Sequence, residues 1–139
     1  MSRYVPIELR RRVREAFGSC CAYCETAESL TVVTFEVEHI IPISRDGQSS
    51  FDNLCLACPA CNRFKSDRTS GKLPDGTEVP LFHPQRDNWA DHFDWTVDGT
   101  VIVGLTDSGK ATVNLLKMNR NQVVRVRSLW VATGRHPPN

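Results

Sequence analysis

The chain has no apolar run approaching the length of a membrane-spanning helix. Its opening residues, Met1 to Arg12, contain no apolar stretch of signal-peptide type. Internal repeats and low-complexity tracts are also missing, and the formal charge of +1 gives no strong overall field of either sign. These absences argue against a spanning protein, a secreted protein and a repeat array, and they set the expectation of an intracellular, cytoplasmic chain with no membrane partner. In that compartment six cysteines are a metal-binding inventory rather than a disulfide framework. At 139 residues, 40% hydrophobic and 24% charged, the composition is that of one globular domain with a modest core.

The near-neutral total hides a segregated charge. Leu73 to Asp107 carries seven acids and one base, Arg86, whereas Ser108 to Asn139 carries six bases (Lys110, Lys117, Arg120, Arg125, Arg127, Arg135) and no acid. Arg10, Arg11, Arg12 and Arg14 add a basic stretch at the other end. Such stretches either line a phosphate track or form solvated helix faces.

Local patterns outline an α+β chain. Val5, Leu9, Val13 and Phe17 recur every four residues behind Pro6, which predicts a helix stopped at Gly18. Thr31 to Ile40 reads as a strand, Arg45 to Ser50 as a polar loop with an Asp46-Gly47 turn, and Asn53 to Leu56 as a second short strand. Pro59 suits the first turn of a helix reaching about Ser66. Lys72 to Gly76 reads as a loop. Asp98-Gly99 between Trp95-Val97 and Thr100-Val103 predicts a hairpin with a two-residue turn. Thr106 would cap a helix through Leu116 and Asn121 another toward Gly134, although Ala111-Thr112-Val113 would also tolerate a strand.

Two Cys-x-x-Cys pairs, Cys21/Cys24 and Cys58/Cys61, are separated by 33 residues. Four thiolates at that spacing suit a tetrahedral structural Zn²⁺ with no open position for water, which folds rather than catalyses. Cys20 and Cys55 are then spare. Between the pairs lies Val37-Glu38-His39-Ile40-Ile41-Pro42 and then Asp52-Asn53-Leu54; after them comes Asn62-Arg63-Phe64-Lys65-Ser66-Asp67. Glu38 and Asn62 are oxygen ligands of the kind Mg²⁺ or Mn²⁺ takes, and a neutral His39 beside such a metal could deprotonate an attacking water. His83, His92 and His136 sit in loops or an aromatic cluster and read as structural.

Together these segments resemble the ββα-metal core of HNH endonucleases, of the four-cysteine kind. The tail from Asn62 is also similar to the HNH domain of RNA-guided CRISPR nucleases. The resemblance spans Cys21 to Asp67, so the expected organisation is a core at about 19–72 and an extension at about 73–139 within one domain, 1–139. Leu81 to Leu116 faintly resembles extensions of stand-alone HNH proteins and carries no assigned chemistry. What the family implies is His39 as general base and Asn53 as the side chain bracing its loop. Asn62 and Glu38 become ligands of a catalytic metal, with glutamate standing where aspartate is commoner. The implied activity is metal-dependent cleavage of DNA, as an endonuclease or nickase, leaving 5′-phosphate and 3′-hydroxyl ends. Arg63 and Lys65 would grip flanking phosphates or simply form an exposed charged face. The rival is a non-catalytic, zinc-stabilised module that binds nucleic acid. Oligomeric state, monomer or dimer, is not legible.

Overall fold

Pro6 has an extended backbone (ψ 152°) at the N-cap of the first helix, α1 (Ile7–Ala16), with Glu8 in the first turn and Arg14 in the last, as the helix dipole favours. The apolar positions spaced by four are the ones that pack: Val5 and Val13 are buried against Leu54, with Leu9 and Phe17 alongside. The structure is a computed structural model and describes residues 4–138.

β1 (Glu36–His39) and β2 (Leu54–Ala57) form an antiparallel pair in which Glu36 faces Ala57 and His39 faces Leu54. The expected strand from Thr31 is therefore shorter. Its partner is only four residues long, and the β-branched residues before it have nothing to pair with, Val32 standing fully exposed. Asn53 also falls outside β2, closing a short 3-10 turn, Phe51–Asn53. α2 (Pro59–Lys65) then crosses the hairpin, with Pro59 in its first turn and Cys58 as its N-cap, whose sulfur accepts from the Cys61 N–H at 3.4 Å. This order, two antiparallel strands and a helix, is an α+β arrangement.

Among the described residues, the part after α2 adds two small hairpins and three helices. β3 (Ser70–Lys72) pairs with β4 (Glu78–Pro80) around the loop read from sequence. The short α3 (Trp89–His92) leads into β5 (Phe93–Trp95), which pairs with β6 (Ile102–Gly104). The second hairpin is expected, but its turn is longer. Trp95 pairs with Ile102, and Asp98-Gly99 closes a turn inside that connection through the Gly99 N–H to Thr96 carbonyl bond of 2.8 Å. Thr106 caps α4 (Asp107–Leu115) through Gly109, so residues 111–113 are helical. α5 (Asn121–Ala132) begins one residue earlier than a cap at Asn121 would place it, because Arg120 holds the N-cap position, and it makes no side-chain capping bond.

This extension closes onto the cysteine knuckle. Phe82 and Phe93 meet edge-on at 5.1 Å, Trp89 and Trp95 stack at 5.8 Å, and the Trp89 indole donates to the Tyr23 carbonyl at 2.7 Å. One buried cluster runs from Cys21 and Tyr23 through Leu56 to Phe82, Phe93, Leu116 and Met118. Arg127, expected among the tail's phosphate-track bases, is instead fully buried. Its guanidinium donates to the carbonyls of Thr100 at 2.9 Å and Met118 at 2.7 Å and lies 5.1 Å from the Trp95 ring. His136 is wedged against Trp95 and Trp130, and burial together with the Arg127 charge pushes it down to about 4, leaving it a neutral packing group. Among the described residues no helix is long and apolar enough to cross a membrane.

Candidate metal centre and groove

Tight turns bring the cysteines together. The Cys21 N–H bonds to the Thr26 carbonyl and the Glu25 N–H to the Cys21 carbonyl, folding the first pair into a knuckle whose Glu25 has a left-handed φ of 61°. The Ala22 N–H bonds to the Leu56 carbonyl at 2.7 Å, pinning that knuckle to β2, which delivers Cys58. All four sulfurs, of Cys21, Cys24, Cys58 and Cys61, are buried and lie within 4.8 Å of one another. The Cys24–Cys58 separation is 3.8 Å, the edge of a tetrahedron with metal–sulfur bonds of about 2.3 Å. Hydrogen bonds from Cys21, Cys58 and Cys61 hold the Cys24 thiol well below its ordinary range. The donor set and its geometry fit a structural metal such as zinc. A metal with four thiolate ligands carries net negative charge; burial lowers the Arg127 guanidinium from its ordinary range, and the sulfurs of Cys24, Cys61 and Cys58 work against that fall. Cys20 and Cys55 stay outside the cluster. Cys55 is buried and donates to Glu38 Oε2 at 3.4 Å.

Beside the hairpin lies an open groove of about 1050 Å³. Glu36, Glu38 and His39 of β1, Asn62 of α2, and Arg10 and Arg14 of α1 all line it. His39, half-buried at the end of β1, has its Nε2 2.8 Å from the Ser49 hydroxyl. The loop that carries Ser49 is held by Asn53. The Asn53 amide donates to the carbonyls of Ile41 at 3.0 Å and Gln48 at 2.9 Å, and its oxygen accepts from the Ile41 N–H at 2.8 Å. Gly47 is required by the same packing, since a Cβ there would fall 1.7 Å from the Ile41 carbonyl oxygen. Asn53→Ala deletes three part-buried bonds and leaves two carbonyls and an N–H without their partner, for an expected cost of about 1–3 kcal/mol. Thermal melting beside the parent protein checks this, and an unchanged Tm would mean the loop is held by something else.

The two acids of β1 behave differently. Glu36 is exposed and accepts from the Asn62 amide at 3.3 Å. Glu38 is turned into the protein: it is 6% exposed and its Oε1 lies 3.5 Å from the Lys65 ammonium with no hydrogen bond of its own. Burial raises the Glu38 carboxyl above its ordinary range, and the Lys65 charge works against that rise. Lys65 itself is 2% exposed and donates to the Ile40 carbonyl at 2.9 Å. A phosphate grip is therefore not open to Lys65, which ties α2 to the residue after His39. Arg63 is exposed, with its guanidinium 4.9 Å from the Phe64 ring.

Glu36, Ser49 and Arg127 were not singled out by sequence reasoning as parts of these sites. Strand alternation puts Glu36 on the same face as Glu38 and would have found it; Ser49 lies in a loop with no periodic signal. His83, His92 and His136 join no cluster, the four cysteines being the one group of such ligands among the described residues. Residues 21–68, about a third of the chain, match the family model described as HNH endonuclease. No curated protein and no solved structure matches.

Proposed function

Because residues 21–68 match the family model described as HNH endonuclease, we propose that the protein is a metal-dependent DNA endonuclease or nickase that hydrolyses phosphodiester bonds with His39 as general base. The observation that carries this reading is a single groove lined by His39, Asn62, Glu36 and Glu38 beside a core braced by four cysteines. His39 takes the proton from the attacking water, and its hydrogen bond to Ser49 sets the ring orientation. Asn53 keeps the loop behind that hydrogen bond in place. Asn62 and Glu38, with Glu36 beside Asn62, are the oxygen donors that would hold Mg²⁺ or Mn²⁺. When bound, that cation supplies stabilisation of charge on the phosphate and the leaving 3′ oxygen. Arg63 contacts a flanking phosphate, and the cysteine-bound metal, Zn²⁺, stays structural. A lone site of this kind cuts one strand.

One observation favours the rival, a non-catalytic module that binds nucleic acid: Lys65 already neutralises Glu38. Supercoiled plasmid separates the two. The nuclease reading expects nicked circles when Mg²⁺ or Mn²⁺ is added, none with chelator, and ends that ligase reseals. DNA retardation without any cleavage across metals would support the binding module instead.

A further inference from the structure

Besides the buried cluster they share, the acid-free tail and the HNH core meet at an exposed-side aromatic ring, Phe64. Phe64, half-buried on α2, is surrounded by three cations: the Arg63 guanidinium at 4.9 Å, the Lys117 ammonium at 5.0 Å and the Arg120 guanidinium at 5.9 Å. Like charges do not converge without compensation. The ring face attracts each of them by about 0.5–1 kcal/mol at an exposed site. Among the described residues no carboxylate answers them, since the ion pairs there use Arg11, Arg14, Lys65 and His92.

The backbone positions of the two tail cations also go against local preference. Lys117 is exposed and follows the C-cap of α4 with a left-handed φ of 49°. Glycine or asparagine is the usual residue there, and a lysine costs on the order of 1 kcal/mol. Arg120 occupies the N-cap of α5, where serine, threonine, aspartate or asparagine would satisfy a backbone N–H, and it makes no such bond. Two helix ends thus give up a locally favoured residue for a cation aimed at the same ring. Positions that break local rules without a structural gain are where function is expected.

We infer that Arg63, Lys117 and Arg120, gathered on Phe64, form a phosphate-backbone clamp that holds nucleic acid beside the groove. The inference rests on the nuclease reading, and it assigns the tail a substrate-binding role of its own. Arg63 directly follows Asn62, which lines the groove, so the clamp continues the path of a strand leaving the cut site. Phosphate is the ligand because three cations with no carboxylate partner, of which only Arg120 spends a donor on a backbone carbonyl (that of Lys117, 3.3 Å), offer charge and N–H donors but no surface for reading bases.

The test measures duplex DNA binding by the full chain carrying His39→Ala, which prevents turnover, across about 50–200 mM salt. With Lys117→Gln and Arg120→Gln added, the slope of log K against log salt should fall by about two, at about 0.9 per phosphate contact. Affinity at the low-salt end should fall at least tenfold, with the melting temperature of the His39→Ala parent retained. Lys117→Gln alone, at an exposed position, should lower the slope by about one. Lys117→Arg with Arg120→Lys should keep it. An unchanged slope and affinity in the double variant, with the parent binding well, would overturn the clamp and leave the nuclease reading standing. A parent that binds no DNA would overturn both.

Discussion

Replacing Cys58 with serine should give a chain that neither retains its structural metal nor melts cooperatively. Cys58 does three jobs at once. It is one of four buried sulfurs within 4.8 Å of each other, it caps α2, and it follows directly on β2. Serine could still cap the helix, so the expected loss is assigned to the metal. Structural zinc sites of this kind contribute roughly 10–16 kcal/mol, which equals or exceeds the whole stability of a typical domain, about 5–15 kcal/mol. The damage would not stop at the core, because Trp89 bonds to Tyr23 between the first two cysteines and Trp95 reaches Glu25 at 3.4 Å. Metal content and a melting curve decide it: one zinc per chain and a parental transition in the variant would contradict the four-thiolate assignment. Chelator strong enough to strip the parent should reproduce the variant.

The parts of this fold legible in the sequence are those where side-chain chemistry and backbone demand coincide. Pro59 beside Cys58, Thr106 before α4 and the four-residue apolar spacing of α1 each announce themselves. The β3–β4 hairpin did not, because Ser70-Gly71-Lys72 has no β-branched alternation; its Gly71 packs close to Leu81 and Ala111, where a Cβ would sit 3.2 Å from the leucine. The larger misreading concerned charge. Lys65 and Arg127 look like surface cations in sequence, yet both are buried and spend their donors on backbone carbonyls. A one-dimensional count cannot separate these from Lys117 and Arg120, which are drawn to Phe64. The candidate site was readable only as residue types in their order along the chain. Which acid touches Asn62 was not, since that depends on how Glu38 and Lys65 pair beneath the hairpin.

His39→Ala should cost about 10²- to 10⁴-fold in cleavage rate, the usual contribution of a positioned general base, while leaving the metal centre and the melting temperature close to those of the parent. The ring is half-buried at the groove wall and contributes to neither hydrophobic cluster. Its partner, Ser49 at 2.8 Å, lies in a loop that Asn53 holds independently through Ile41 and Gln48. Structure and chemistry are therefore separable at this position, as they are not at Cys58. The variant should still bind DNA, because the groove arginines and the Phe64 cations are untouched. The single-turnover rate of nicking by zinc-loaded protein in Mg²⁺ or Mn²⁺, compared with that of His39→Ala with and without added imidazole, tests the account most directly. The predicted result is a loss of about two orders of magnitude or more, partly restored by imidazole. A variant that nicks at the parental rate would contradict it.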